Sequence, residues 1–195
     1  EDAEIAFLRH ATSKISSDED LFKISTLGFR GEALASIAAV TRTELITKTA
    51  EDDRGTRIKI EGGVVVEKTG TGAPEGTTII VTDLFYNTPA RLKFLKKDNV
   101  ESAQIIDFIS KLALAYPEIR IRMVNNGKIL FSTTGKGDIF ENIVMIFGKE
   151  VGENLIGFTE EMGDGMTLCA YISNPLYHKT SRRSQFFFVN GRYVS

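Results

Sequence analysis

An α+β fold is predicted by three features of this 195-residue sequence. Strand-like runs follow one another in the middle of the chain, from "RTELITKTA" through "GTTIIVTDLF". A long amphipathic helix follows them in "NVESAQIIDFISKLALAYP". A second, βαββ-like set of signals begins near residue 136. Hydrophobic content of 42% and charged content of 26% are ordinary for a globular chain.

Residues 1–10 read as the end of an amphipathic helix with Ile5 and Leu8 on one face. Residues 11–31 are loop-like, with a short turn near Asp18 to Phe22 that Ser17 could cap. Small and apolar residues from Glu32 to Val40 predict a tightly packed helix. "RTELITKTA" (42–50) and "TRIKIEG" (56–62) alternate with period two, and Gly62-Gly63 turns the chain into a third strand. "GTTIIVTDLF" (76–85) is more continuously apolar and predicts a central strand buried on both faces.

Thr88 and Pro89 fit the cap and first position of a helix. Phe85 and Phe94 are expected in the core. In the long helix, Ile105, Ile106, Ile109, Leu112 and Ala113 form one face, and Pro117 ends it. "IRIRMVNNGKILFSTT" predicts a hairpin turning at Asn126-Gly127. "GKGD" (135–138) is the linker candidate, which divides the chain into 1–135 and 136–195. Beyond it come a helix capped by Asp138 (138–148) and strands at 154–161, 166–173 and 184–190. Cys169, the one cysteine, reads as a buried inert thiol. "FFFVNGR" reads as a buried strand ending in a turn at Asn190-Gly191.

A net charge of -2 gives no global basic field, though local patches remain open. His10 and His178 stand far apart with no Cys or carboxylate pattern, so a structural zinc site is not expected. No apolar run approaches the ~20 residues that span a bilayer, and no membrane association is expected.

"RHATSKISSDEDLFKISTLGFRGEALASI" (9–37) combines hydroxyls, cations and glycines ahead of a helix. Gly28, Gly31 and the helix start could offer free N–H groups to a phosphate, with Arg30 and Lys14 supplying charge. A glycine-rich turn with a solvated Lys14 fits the same spacing. The segment is neither GxxxxGK[ST] nor GxGxxG. Two basic stretches stand out. Arg91, Lys93, Lys96 and Lys97 end one helix, and "HKTSRRSQ" (178–185) carries Lys179, Arg182 and Arg183, with Arg192 following. Each reads as a solvated surface or as a contact to DNA phosphates.

"HATSKI", "LGFRGEALASI", "GTTIIVTDLFYNTPARLKFLK" and "FFFVNGRYVS", in this order, resemble the mismatch-repair ATPases of the MutL family over nearly the whole chain. The resemblance implies the remainder of a GHKL-type α/β sandwich ATPase domain, then the start of a transducer domain of ribosomal-protein-S5-like fold. It implies ATP as ligand, with Mg²⁺ in the intact protein. Thr12, Ser13 and Lys14 correspond to the lid segment. Gly28, Phe29, Arg30, Gly31, Glu32, Ala33 and Leu34 match the phosphate motif, where Glu32 is expected to cap the helix. Thr77 matches the position that holds the adenine end through water. Lys179, Arg182, Arg183 and Arg192 border the groove proposed for DNA.

The family's general-base Glu, Mg²⁺-binding Asn and Asp-Asn-Gly-x-Gly motif do not occur in the chain. By the resemblance they would lie upstream of Glu1, and the transducer lysine beyond Ser195. The chain is therefore expected to be a fragment that does not hydrolyse ATP by itself. Implied partners are a mismatch-recognition protein of MutS type, double- and single-stranded DNA, and a second copy or a paralogue. The implied location is cytoplasmic, or nuclear in a eukaryote. Two rival readings remain: a non-enzymatic DNA-binding or scaffold fragment, and another GHKL ATPase such as a type II topoisomerase subunit. "GFRGEALASI" together with "FYNTPAR" fits the mismatch-repair branch better.

Overall fold

A computed structural model of the chain describes residues 2–12 and 30–194. They form two compact units, Glu1–Leu95 and Lys96–Ser195. Residue 135, the expected linker, falls within the second unit, where the long helix and the hairpin after it contact the helix that follows. Asn142, fully buried in that later helix, donates from Nδ2 to the Ala113 carbonyl at 2.9 Å.

Among the described residues the first unit holds a four-stranded antiparallel sheet, with the helices at 2–5 and 33–38 on one face. Its elements are α1 (Asp2–Ile5), α2 (Ala33–Ala38), β1 (Arg42–Lys48), β2 (Gly55–Glu61), β3 (Val64–Thr71), β4 (Gly76–Thr82) and α3 (Pro89–Leu92). The strand order is β3-β2-β1-β4. Directly opposed residues share a face of a sheet. Thr43, Leu45, Ile58 and Ile60 therefore point to the same side, and all are buried. Ala38 of α2 closes over this side, with Ala3 and Phe7 packed against it. The opposite side is wet and charged. There Arg57 Nε donates to Glu44 at 2.6 Å, and Lys59 meets Glu67 at 2.7 Å.

Several expectations change here. Among the described residues β4 is an edge strand, exposed along its length, not a central buried one. α1 is a single turn, so Ile5 and Leu8 are exposed and Ala3 and Phe7 do the packing instead. α3 is also short, and Phe94 beyond it is 86% exposed rather than core, while Phe85 is half-buried. Thr88 does sit at the N-cap of α3 ahead of Pro89, but its side chain makes no capping bond. The turn near Asp18 and its Ser17 cap lie outside the described residues.

The second unit holds α4 (Asp98–Ala115), β5 (Arg122–Asn125), β6 (Lys128–Ser132), α5 (Ile139–Phe147), α6 (Lys149–Glu153), β7 (Leu155–Gly163), β8 (Met166–Ser173), β9 (Phe187–Val189) and β10 (Arg192–Val194). The strands pair as three antiparallel hairpins. Two of them turn through Asn-Gly pairs at positive φ, Asn126-Gly127 and Asn190-Gly191, as the sequence predicts. Asp138 caps α5, accepting from the Glu141 amide at 3.0 Å. α4 buries Ser110, Ala113 and Leu114. Ile106, Ile109 and Leu112 are partly buried, and Ile105 is exposed. Cys169 is exposed, not buried, and so are Phe187 and Val189 in the expected buried strand.

Candidate functional site

The first candidate site is built where the chain returns on itself at residues 10–12 and 30–32. Gly31 has φ +62, and a Cβ there would stand 2.2 Å from the Ala11 carbonyl oxygen. Only glycine permits both the backbone and the contact. Thr12, which follows Ala11, and Arg30, which precedes Gly31, are therefore brought to one place. Glu32 occupies the N-cap position of α2 without capping it. Its carboxylate instead lies 3.3 Å from His10 Nδ1. A carboxylate at N-cap accepts from amides two or three residues on; here the imidazole competes for it. Ala33 and Leu34 form the first turn of α2, and the Ser36 amide bonds back to the Glu32 carbonyl at 2.9 Å. Ser13, Lys14, Gly28 and Phe29 lie outside the described residues.

Thr77 lies on β4 opposite Thr47, with their hydroxyl oxygens 2.9 Å apart. Thr47 Oγ1 also donates to the Gly76 carbonyl at 3.3 Å. The register puts Leu45 opposite Ile79 and Thr43 opposite Val81. Thr77, Ile79 and Val81 thus share the face that α1 and α2 cover at β1 and β2. Over β4 that face is open: Ile79 is 42% and Val81 45% exposed. Hydroxyls beside an open apolar floor suit a planar group with polar edges.

The second candidate is the loop after β8. Asn174 anchors its start. Its Nδ2 donates to Asn154 Oδ1 at 2.8 Å, and its own Oδ1 accepts from the amides of Leu176 and Tyr177 at 3.0 Å. Phe186 packs on Phe147 of α5, ring centroids 5.4 Å apart, and anchors the end. Between these anchors Lys179 stacks its ammonium over the Tyr177 ring at 4.9 Å. Arg182 is exposed in a single 3₁₀ turn, Arg182–Ser184, which also contains Arg183. Arg192 opens β10, exposed and outside this loop. Among the described residues no cluster of three His, Cys, Asp or Glu is placed to hold a metal ion. No helix among them is long and apolar enough to cross a membrane, which leaves β-barrels unaddressed.

Sequence reasoning did not find the long-range contacts of Asn87 and Phe85. Asn87 Nδ2 donates to the Ala39 carbonyl at 2.9 Å, and the Phe85 amide to Val40 at 2.7 Å. "FYNTPAR" was the available signal, but its contact lies 48 residues away.

This architecture matches solved structures. The Aquifex aeolicus MutL ATPase domain complexed with ADP superposes with a TM-score of 0.71 at 27% identity, over 92% of this chain and 66% of that one. The N-terminal domain of a DNA repair protein gives 0.74 at 26% identity, over 98% and 60%. The fold is thus that of the N-terminal region of a DNA repair protein, α+β in class. Residues 143–195 match the family described as DNA mismatch repair protein, C-terminal domain. DNA mismatch repair protein MutL of Caldanaerobacter subterraneus is 48% identical over 193 residues, and that of a Thermoanaerobacter species 50% over 193. Both alignments take in 99% of this chain. The chain belongs to the MutL family of DNA mismatch repair proteins. It spans about a third of those relatives' length, 32% and 31%.

Proposed function

We propose that the intact protein is a mismatch-repair clamp driven by ATP binding and hydrolysis. In this reading residues 1–135 belong to the ATPase domain and 136–195 to the transducer. The observation that carries it is the shared face of the first unit. Thr77, with its open apolar floor, lies on the face that α2 covers, and α2 begins at the Gly31 motif. Adenine would lie against the β4 floor, its polar edge met by the Thr77 hydroxyl through water. The triphosphate would extend toward Thr12, Ser13, Lys14 and residues 28–34, where amides and cations favour anions. The ADP bound by the Aquifex neighbour supports a nucleotide at this fold.

Mg²⁺, when bound with the nucleotide, would neutralise charge on the phosphates during hydrolysis. The residues of this chain would bind and orient the nucleotide. The general base and metal ligand are not among the residues it assigns. Closure over the γ-phosphate would favour dimerisation with a second copy or a paralogue, a population shift driven by contacts made only in the closed state. DNA phosphates would meet Lys179, Arg182, Arg183 and Arg192, independently of sequence. A mismatch-recognition protein of MutS type would be the upstream partner, in the bacterial cytoplasm or a eukaryotic nucleus.

The test compares ATP binding and hydrolysis by this chain and by the intact protein, each with and without Arg30→Ala. Turnover by the intact protein that falls on substitution supports the reading. An intact protein that is inert toward ATP, with Arg30→Ala indistinguishable, overturns it.

A further inference from the structure

The end of α2 is closed by donors from a distant part of the chain. Three successive carbonyls follow the helix, Ala39, Val40 and Thr41. Asn87 Nδ2 takes the first at 2.9 Å, the Phe85 amide the second at 2.7 Å, and the Gly62 amide the third at 3.2 Å. The Thr41 hydroxyl turns back to the Ile37 carbonyl at 2.7 Å. The segment that supplies Asn87 is held in an unusual backbone. Asp83 and Phe85 have φ of 53 and 65, a region that aspartate tolerates and a bulky side chain such as Phe85 rarely enters. Arg42 clamps it, donating to Asp83 at 3.1 Å and stacking on Tyr86 at 4.9 Å. Gly62 lets it approach: a Cβ there would stand 3.1 Å from the Tyr86 hydroxyl and 3.2 Å from Asn87 Nδ2. Backbone strain that the surroundings over-determine is a mark of functional segments.

We propose that Asn87 is a positioning residue of the nucleotide site, which sets α2, and with it the Gly31 motif, relative to β4. The inference rests on the ATP reading above. α2 has six residues, too few to hold its own geometry in water. A shift at its carboxyl end therefore reaches its first turn. β4 runs directly into the segment that carries Asn87, so one side chain couples the Thr77 strand to the phosphate motif. Asn87 is also the one long-range side-chain donor among these carbonyl contacts; the other two are amides.

The chemistry ranks the substitutions. Aspartate is the nearest isostere but brings no donor, and its charge meets the carboxyl end of a helix. Histidine can present a ring N–H at similar reach. ATP affinity of the intact protein, read by a fluorescent ATP analogue, should fall about three- to tenfold for Asn87→Ala, the scale of one net hydrogen bond. Asn87→Asp should fall at least as far, and Asn87→His should recover most of the loss. Hydrogen exchange without nucleotide should quicken at the Ser36 and Ala39 amides in the Asp variant and not in β7–β8. If Asn87→Ala does not fold, the Asp and His pair carries the same comparison. An intact protein that binds ATP equally well with Asn, Asp and Ala at 87 overturns this proposal alone. One that binds no ATP in its natural form overturns the ATP reading and this proposal with it.

Discussion

Gly31 lies against the Ala11 backbone so closely that a single added methyl would stand 2.2 Å from the Ala11 carbonyl oxygen. Its φ of +62 adds strain for any L side chain. Two costs therefore fall on one substitution. Gly31→Ala should destabilise the first unit by about 2 kcal/mol or more, since backbone strain and a backbone clash both contribute. Urea unfolding of the intact protein measures it. ATP affinity should fall further than stability, because residues 10–12 and 30–32 would separate. Wild-type stability in the Ala variant would contradict the close packing of Gly31 on Ala11.

Thr77 and Thr47 share a hydrogen bond at 2.9 Å on an otherwise apolar patch. Thr77→Val keeps the shape and removes the hydroxyl. Fold stability should change by less than about 1 kcal/mol, because the pair is exposed and water can replace it. ATP affinity should fall roughly fivefold to 150-fold, the range for a buried acceptor or donor left without its partner. Thr77→Ser should restore it. Calorimetric titration of ATP into the intact protein separates the two outcomes. Equal affinity for Val and Thr would remove Thr77 from the site.

The site was legible in its parts, and its assembly was not. "GFRGEALASI" suggested glycines that let the backbone approach a phosphate; the close approach seen at Gly31 is to the Ala11 backbone. The same passage suggested that Glu32 caps α2, yet its carboxylate turns to His10, which no local pattern encodes. β4 read as central because Ile79, Ile80 and Val81 run together. Continuous apolarity states that both faces favour cover; it does not state where the strand stands in a sheet. α1 misled for a different reason. A helical stripe presumes that the helix continues, and this one ends after Ile5. Strand pairing by contrast followed its turns, since Gly62-Gly63, Asn126-Gly127 and Asn190-Gly191 all reverse the chain as expected. The short β10 offered three residues, too few for a period to show.

The loop between Asn174 and Phe186 separates charge from placement. Arg182→Glu should weaken duplex binding and lower the slope of log affinity against log salt by about 1 to 2, as phosphate contacts are lost or reversed. Asn174→Ala should also weaken binding, since it frees the Leu176 and Tyr177 amides, yet it removes no cation. Its salt slope should stay near the natural value. Fluorescence anisotropy with a labelled duplex across a salt series distinguishes them. An unchanged slope in the Arg182 variant would take this loop out of the DNA interface.

The outward face of the sheet predicts how the first unit responds to acid. The hydrogen bond from Arg57 Nε, with the charges of Arg57 and Lys59, holds the Glu44 carboxyl below its ordinary value of 4.5, against a smaller opposing effect of burial. Lys59 does the same for Glu67. A carboxyl with a lowered folded value binds fewer protons folded than unfolded. Its stabilisation is therefore complete above 4.5 and fades as pH falls through the folded value. Glu44→Gln should be less stable than the natural protein near neutrality. That gap should hold down to about the ordinary Glu value and close at more acid pH. Thermal unfolding from neutral to acid pH measures the gap. A difference that persists undiminished at the acid end would mean that Glu44 contributes by packing rather than by its charge.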